Sequence, residues 1–413
     1  VRFVVESTMN GFSFNDPFGS VGDLVRSLLL GLGLPAPWVT FIQFLAGAVL
    51  LIGGTLGGGA IVLIWIERKV GARFQDRLGP NRVGPFGIFQ NFADAVKLIT
   101  KEDITPSGAD KVVYNLAPLL VVMSVVGLWV VVPFAPSLIG ADLNVGVLYL
   151  LSIGGVGTLG IMLAGMSSNN KYALLGALRS VAMLVSFEIP MALVLLVPTM
   201  LAGSMGTVQI VGSQSTWYVV LAPVAALIFF ISSVAEIGRA PFDLLEAESE
   251  IVAGYNIEYS GMKFGLFMVS EFLHAFTVSA LTAVLFLGGW RGPGADTYPL
   301  LGLLYFFIKS GAVYFVIIWF RFSSPRVRID QMMSLNWKFL TPLALAVVVA
   351  TALVQKAAEG FGWPVTPSLL GANILLAVLT LFVLRAYARA LRRQVEMMAE
   401  TQARPTMGAA TGI

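Results

Sequence analysis

Long apolar runs alternate along this chain with shorter segments that hold most of its charge. A helix needs about 20 apolar residues to cross the hydrocarbon of a bilayer. Runs of that order lie at 39–66, 113–138, 146–166, 181–203, 217–235, 264–288, 300–320, 339–355 and 369–387. Lipid offers no partner to a free backbone N–H or C=O, so helices are the form such runs take. The pattern predicts an all-α polytopic membrane protein with about nine transmembrane helices. Cationic residues then set the orientation, because Lys and Arg favour the cytoplasmic side. With 67–112 in the cytoplasm, alternate loops and the end from Arg385 collect 21 of the 26 basic residues; Arg2, Arg26, Arg291 and Lys356 fall on the other side and Lys309 within a span. An odd number of spans with the N-terminus outside satisfies that distribution. The spans and their loops then form one domain over 39–387, with cytoplasmic loops at 67–112, 236–263 and 321–338.

Residues 1–38 mix Glu6, Asp16 and Asp23 with apolar runs such as 27–34 that are too short to span. They are expected to form an amphipathic segment on the membrane surface. A cleaved leader is the competing reading, but a basic start and a small-x-small cleavage site are poorly represented. Residues 388–413 read as a polar C-terminal tail.

Composition adds exclusions. With 57% hydrophobic residues, 12% charged residues and a mean hydropathy of +0.84, a set of soluble domains is ruled out. There is no cysteine and a single histidine, His274, so the chain has no ligand set for an iron–sulfur cluster, structural zinc or bis-histidine haem. Any redox centre belongs to another chain. A net charge of +3 gives nucleic acid no electrostatic footprint.

Two motifs imitate chemistry. Gly155-Val156-Gly157-Thr158-Leu159-Gly160 spells a dinucleotide fingerprint, but it lies inside an uncharged span with no strand before it. Helix packing is the expected use, as it is for Gly53, Gly54, Gly57, Gly58 and Gly59. No P-loop lysine motif occurs.

Most spans carry no charge in their middle, which singles out Glu188, Glu271, His274 and Lys309. A charge at a span centre costs roughly 2.5–3.5 kcal/mol on insertion scales and usually faces a bundle interior or a wet path. Pro190 cannot donate to the carbonyl of Ser186, so a polar acceptor is left one turn from Glu188. The competing reading is a structural ion pair of Lys309 with Glu188 or Glu271. For His274 a hydrogen-bonded structural role is favoured over a proton relay.

The segment 235–259 is the densest anomaly, with Glu236, Asp243, Glu246, Glu248, Glu250 and Glu258 against Arg239 alone. Pro241 and Gly254 bracket a short predicted helix that places Asp243, Glu246 and Glu250 on one face. Folded against the membrane domain, such like charges would titrate as a coupled unit able to store protons. A solvated acidic loop is the alternative, but the segment is too apolar for it. The first loop, rich in Arg and punctuated by Gly79-Pro80-Asn81-Arg82, reads as a docking surface or ligand mouth.

These segments carry a resemblance. Glu67-Arg68-Lys69, the Gly79–Pro85 turn, Ala93-Asp94 with Lys97, and Lys101-Glu102-Asp103 stand in the first loop. Arg239-Ala240-Pro241-Phe242-Asp243, Glu246 to Glu250, Gly254-Tyr255-Asn256 and Glu258-Tyr259-Ser260 stand in the second. Phe307-Ile308-Lys309, Arg328-Ile329-Asp330-Gln331-Met332 and Trp337-Lys338 form a third signature. Together they resemble the family of H-type membrane subunits, called subunit one in mitochondria, of proton-pumping NADH:quinone oxidoreductase, respiratory complex I. The matches run from about residue 38 to 355. The chain departs from the family pattern at Glu236-Ile237-Gly238-Arg239, where members commonly read Glu-Thr-Asn-Arg, and at 324–330.

The resemblance implies a subunit of the cell's inner (plasma) membrane that forms the quinone-access chamber and begins an acidic channel toward antiporter-like subunits. By motif, Arg68, Arg77, Arg82, Asp94, Arg239 and Asp243 would belong to the quinone chamber or its rim. Glu188, Glu236, Glu246, Glu248, Glu250, Glu258 and Glu271 would line the proton-linked path. Quinone would be the substrate, with FMN and iron–sulfur clusters in partner subunits. Partners would be the hydrophilic subunits of the quinone site and small and antiporter-like membrane subunits. A homologous subunit of a membrane-bound hydrogenase-type complex, a stand-alone proton-coupled transporter and a structural anchor are the alternatives.

Overall fold

The computed structural model describes residues 17–245, 250, 252–295 and 297–403, and among them it contains helices and turns but no strand. Two units divide the chain at Val348/Val349. The first holds α1 (Pro17–Gly31), α2 (Ala36–Gly53), a π-helical turn Gly54–Gly59, α3 (Ala60–Phe74), α4 (Gln90–Thr100), α5 (Lys111–Trp129) and α6 (Gly146–Ser167). It continues with α7 (Lys171–Ala202), α8 (Thr207–Ser213), α9 (Tyr218–Leu221), α10 (Pro223–Ile237) and α11 (Gly261–Phe286). Then follow α12 (Pro299–Ser323), α13 (Ile329–Leu335), a second π-helical turn Asn336–Leu340, and the first part of α14 (Thr341–Phe361). The second unit holds the rest of α14 and α15 (Val365–Ala403).

Among the described residues, 8 helical stretches are long and apolar enough to cross a membrane, and α10 is a shorter apolar helix. The all-α, polytopic expectation holds, and the departures have physical causes. The run 113–138 contains a helix only to Trp129, because Pro133 and Pro136 lack the N–H that a helix needs. Val131 and Val132 beyond it are apolar because they are buried. In 217–235, Pro223 starts a new helix of 15 residues. That is about 22 Å of rise, short of the roughly 30 Å hydrocarbon thickness. The expected polar tail from 388 begins as helix, since α15 runs on to Ala403.

The loops of the first unit sort into two sets, each joined by its own hydrogen bonds. Ser260 Oγ donates to the Glu102 carbonyl at 3.3 Å, Asn170 Nδ2 to Glu258 at 2.5 Å, and Val327 N to the Pro241 carbonyl at 3.0 Å. These join the three basic loops to the α6–α7 turn. In the other set, Thr207 Oγ1 donates to Val131 O at 2.8 Å, Val147 N to Met205 O at 3.0 Å and Arg291 to Gly212 O at 2.8 Å. Alternate loops therefore share an end, as a multi-spanning helical chain requires.

Helix prolines shape the interior. Pro118 leaves the Tyr114 carbonyl without its intrahelical donor, and the Tyr259 hydroxyl supplies one at 3.2 Å. The two tyrosine rings stack at 4.1 Å between centroids. Burial pushes the Tyr259 phenol up to about 12, although hydrogen bonds from Ser167 and Ser168 pull the other way.

The fingerprint-like glycines serve packing. A Cβ at Gly157 would meet Ser124 Oγ at 2.6 Å, and one at Gly160 would meet Val121 at 2.6 Å, both on α5. Among the described residues, a Cβ at Gly53, Gly54, Gly57 or Gly58 would meet nothing outside its own helix within 4 Å, whereas one at Gly59 would meet Leu273 on α11 at 3.9 Å.

Gly160→Leu should therefore force α5 and α6 apart, destabilising the protein by about 1–3 kcal/mol as overpacking does. Thermal unfolding in mild detergent checks this, with Gly47→Leu, at an open helical position, as the comparison that adds the same side chain without the clash.

Candidate functional site

The site forms where α3, α10, α11 and α12 end near the basic loops. Gly238, at φ 71°, terminates α10 in the left-handed conformation and turns the chain so that Arg239 enters the bundle. Arg239 is only 2% exposed, and Glu67, on α3, only 3%. Arg239 Nη1 donates to Glu67 Oε1 at 2.5 Å, and its Nε lies 3.0 Å from Glu271 Oε1 on α11. The guanidinium also lies 4.6 Å from the Phe272 ring centroid. Glu67 is bound twice more, by Arg321 on α12 and by the Tyr314 hydroxyl at 3.1 Å. Two carboxylates and two guanidiniums thus stand in one cluster. A buried ion needs such company, since an unpaired one in low dielectric is strongly disfavoured.

Beyond Glu271 lies a cavity of about 60 Å³, enough for a few water molecules. Polar residues that line it include Ser124, Glu236, Tyr255, Ser270, Glu271 and His274. His274 Nε2 stands 3.8 Å from Glu236 Oε1. Two glycines of α6 make room on the far side. Glu236 Oε1 lies 3.6 Å from where a Gly154 Cβ would be, and Glu188 Oε1 lies 3.8 Å from the Gly155 equivalent. Side chains from Glu67 through Arg239, Glu271 and Glu236 to Glu188 therefore form one polar line across four helices and a loop.

The anticipated residues divide. Glu188, Glu236, Glu271 and Arg239 come together. Glu250 pairs with Arg179 and Glu258 with Asn170, and neither lines the cavity. Asp243 is half-buried in a non-helical stretch, so the short helix expected to carry it does not begin there. Glu246 and Glu248 lie outside the described residues. At the first loop, Arg68 bonds Asp94 at 2.6 Å and Asn91 at 3.1 Å, while Arg77 bonds Gln75 at 2.7 Å and Arg82 is exposed. Burial pushes the Asp94 carboxyl up, but the Arg68 hydrogen bond and charge, together with Lys97, outweigh it and hold the pKa below 3.8.

Lys309 does not pair with Glu271, which is taken by Arg239. Its Nζ donates to the carbonyls of Gly289 and Arg291 at 3.1 and 2.8 Å. Sequence reasoning misses Glu67, Tyr314 and Arg321 as site residues. Glu67 and Arg321 sit at the ends of spans, where a charge is ordinary, and only the turn at Gly238 brings Arg239 between Glu67 and Glu271.

A family model described as NADH dehydrogenase matches residues 46–352. The chain is 46% identical over 338 residues to the H-type subunit of NADH-quinone oxidoreductase from Dehalococcoides mccartyi (strain CBDB1), covering 82% of this chain and 92% of that one. It is 43% identical over 324 residues to the protein of the same name from Bacillus mycoides (strain KBAB4), covering 78% and 97%.

Two outcomes test the site's electrostatics. Glu67→Leu should cost about 3–5 kcal/mol, the usual penalty for leaving buried partners uncompensated, read as lost thermal stability in detergent. The Asp94–Arg68 pair should behave differently. Because the folded pKa is depressed, its contribution is present above the ordinary value of 3.8 and is lost as pH falls through the folded value. The gap in melting temperature between wild type and Asp94→Asn should accordingly close at acid pH and stay open at neutral pH.

Proposed function

The chain belongs to the NADH dehydrogenase family as a membrane subunit of an NADH-quinone oxidoreductase, and on that basis we propose that it links quinone chemistry to proton movement through the Glu67–Glu188 line. Arg68, Arg77, Arg82, Asp94, Arg239 and Asp243 contribute to the quinone chamber or its rim. Glu188, Glu236 and Glu271 carry the proton-linked path, to which Glu246, Glu248, Glu250 and Glu258 belong through the second loop. Quinone is the substrate; the flavin resides in a partner subunit, as do the iron–sulfur clusters, for which this chain has no cysteine ligands. The basic loops and C-terminus face the cytoplasm, meeting the hydrophilic subunits there, while small and antiporter-like membrane subunits continue the path.

One observation carries this reading: Arg239 engages Glu67 and Glu271 together, so a charge change at the loop end reaches the cavity carboxylates through a single guanidinium. A unit charge created about 8 Å away acts with roughly 2 kcal/mol at an effective dielectric near 20. That shifts a carboxylate's proton occupancy by about thirtyfold. It suffices to switch the path but not to drive a pump alone, so the work must be completed in neighbouring subunits.

In the assembled enzyme, Glu188→Gln and Glu236→Gln should each preserve most electron transfer to an added quinone while lowering proton translocation by about tenfold, as expected when an obligatory proton carrier is removed. Full translocation in both variants would refute the path. Proton-coupled substrate flux by the isolated chain in liposomes would point instead to a transporter.

A further inference from the structure

We infer that Asn336 is a positioning residue that fixes the Glu188 turn of α7 and ties it to the loop holding Arg239. The functional consequence rests on the proton-path reading of Glu188, whereas the attachment itself does not.

The attachment starts from a missing donor. Pro190 has no N–H, so the Ser186 carbonyl, four residues earlier, is deprived of its helical partner. Left alone in a water-free interior, that oxygen would destabilise the turn that bears Glu188. Asn336 Nδ2 donates to it at 2.6 Å across the space between two helical segments. Asn336 is fully buried and opens the π-helical turn Asn336–Leu340. Its own Oδ1 is buried with no partner among the described residues, so the amide is placed for donation, and its orientation follows from the Ser186 contact.

The segment that bears Asn336 reaches the Arg239 loop at its other end. Val327 N donates to the Pro241 carbonyl at 3.0 Å, two residues from Arg239. A second contact runs beside it, for Phe187, between Ser186 and Glu188, packs against Phe242 at 5.6 Å between ring centroids. Residues 327–336 therefore bridge the loop end of the charge cluster and the turn that presents Glu188 to Gly155. Displacement of the Pro241–Phe242 turn would move Glu188 through two contacts, one a hydrogen bond and one a ring contact. Asn336 serves position, and it is not among the residues that line the cavity.

The test is a double-mutant cycle in the assembled oxidoreductase in sealed membrane vesicles, with Asn336→Leu, Pro190→Ala and both together. Ala at 190 restores an N–H within reach of the Ser186 carbonyl, making the amide redundant. N336L alone should lower the initial rate of proton translocation per NADH oxidised by about fivefold or more, the scale of an unsatisfied buried carbonyl. In the P190A background the same change should alter that ratio by less than about twofold. A purely structural role would lower the amount of assembled enzyme at an unchanged ratio, and that outcome overturns the proposal, as does an equal effect of N336L in both backgrounds. Should N336L fail to assemble, Asn336→Ala, which also lacks the donor and adds neither bulk nor a carboxyl group, is measured with the same two outcomes. Glu188→Gln separates the two readings. Full translocation in E188Q beside a background-dependent N336L effect refutes the proton path and leaves the attachment standing. Lost translocation in E188Q beside a silent N336L refutes the attachment alone.

Discussion

Backbone polar atoms carried into hydrocarbon have no water to fall back on, and a carbonyl that loses its helical donor is best satisfied by another donor within the protein. That constraint organises the molecule. At two of the prolines that remove a helical N–H, a side chain from elsewhere in the chain takes its place, Tyr259 at the Tyr114 carbonyl and Asn336 at the Ser186 carbonyl. Where α11 ends, Gln214 donates to the Val284 carbonyl at 2.9 Å and Lys309 caps the turn that follows. Each such bond is a long-range attachment of known geometry. Prolines that weaken a helix locally thus create the specific contacts that fix how the helices sit.

The same rule applied to charge produces the site. Glu67 is nearly inaccessible, and its ionised form is tolerable only because Arg239, Arg321 and Tyr314 converge on it. Sharing Arg239 with Glu271 makes the two carboxylates interdependent: a change in the demand of one alters what the guanidinium offers the other. The cavity that follows is small and mostly apolar-walled, with Glu271, His274 and Glu236 among the few polar residues that face it and room for a few waters. Glycines at 154 and 155 matter as absences of bulk, since a side chain at either place would approach the carboxylates at contact distance.

Much of this is legible in the chain. Apolar run length marks the helices and their alternation, because burying backbone in lipid leaves few alternatives. The missing cysteines leave no ligands for an iron–sulfur cluster, and the loop signatures point to the family. Glu188, Glu271 and the proline-freed carbonyl of Ser186 stand out one at a time. Helix ends are less legible, since the apolar residues 131–132 look the same whether they face lipid or protein. The acidic segment is less legible too: Glu250 and Glu258, counted with the cavity acids, do not line the cavity and pair with Arg179 and Asn170.

Residue identities alone set the class of protein, the number and order of its apolar helices within one, and the handful of polar residues that lipid would not tolerate unpaired. All of these follow from the free energy of transferring single groups, which is a property of residues taken one by one. Who pairs with whom was settled by packing: that Arg239 joins Glu67 to Glu271, that Lys309 serves carbonyls instead of a carboxylate, and that Asn336 answers Pro190 across 146 positions of chain. Pairing energies depend on distances of a few ångströms between residues far apart in sequence, and those distances exist only once the helices have packed.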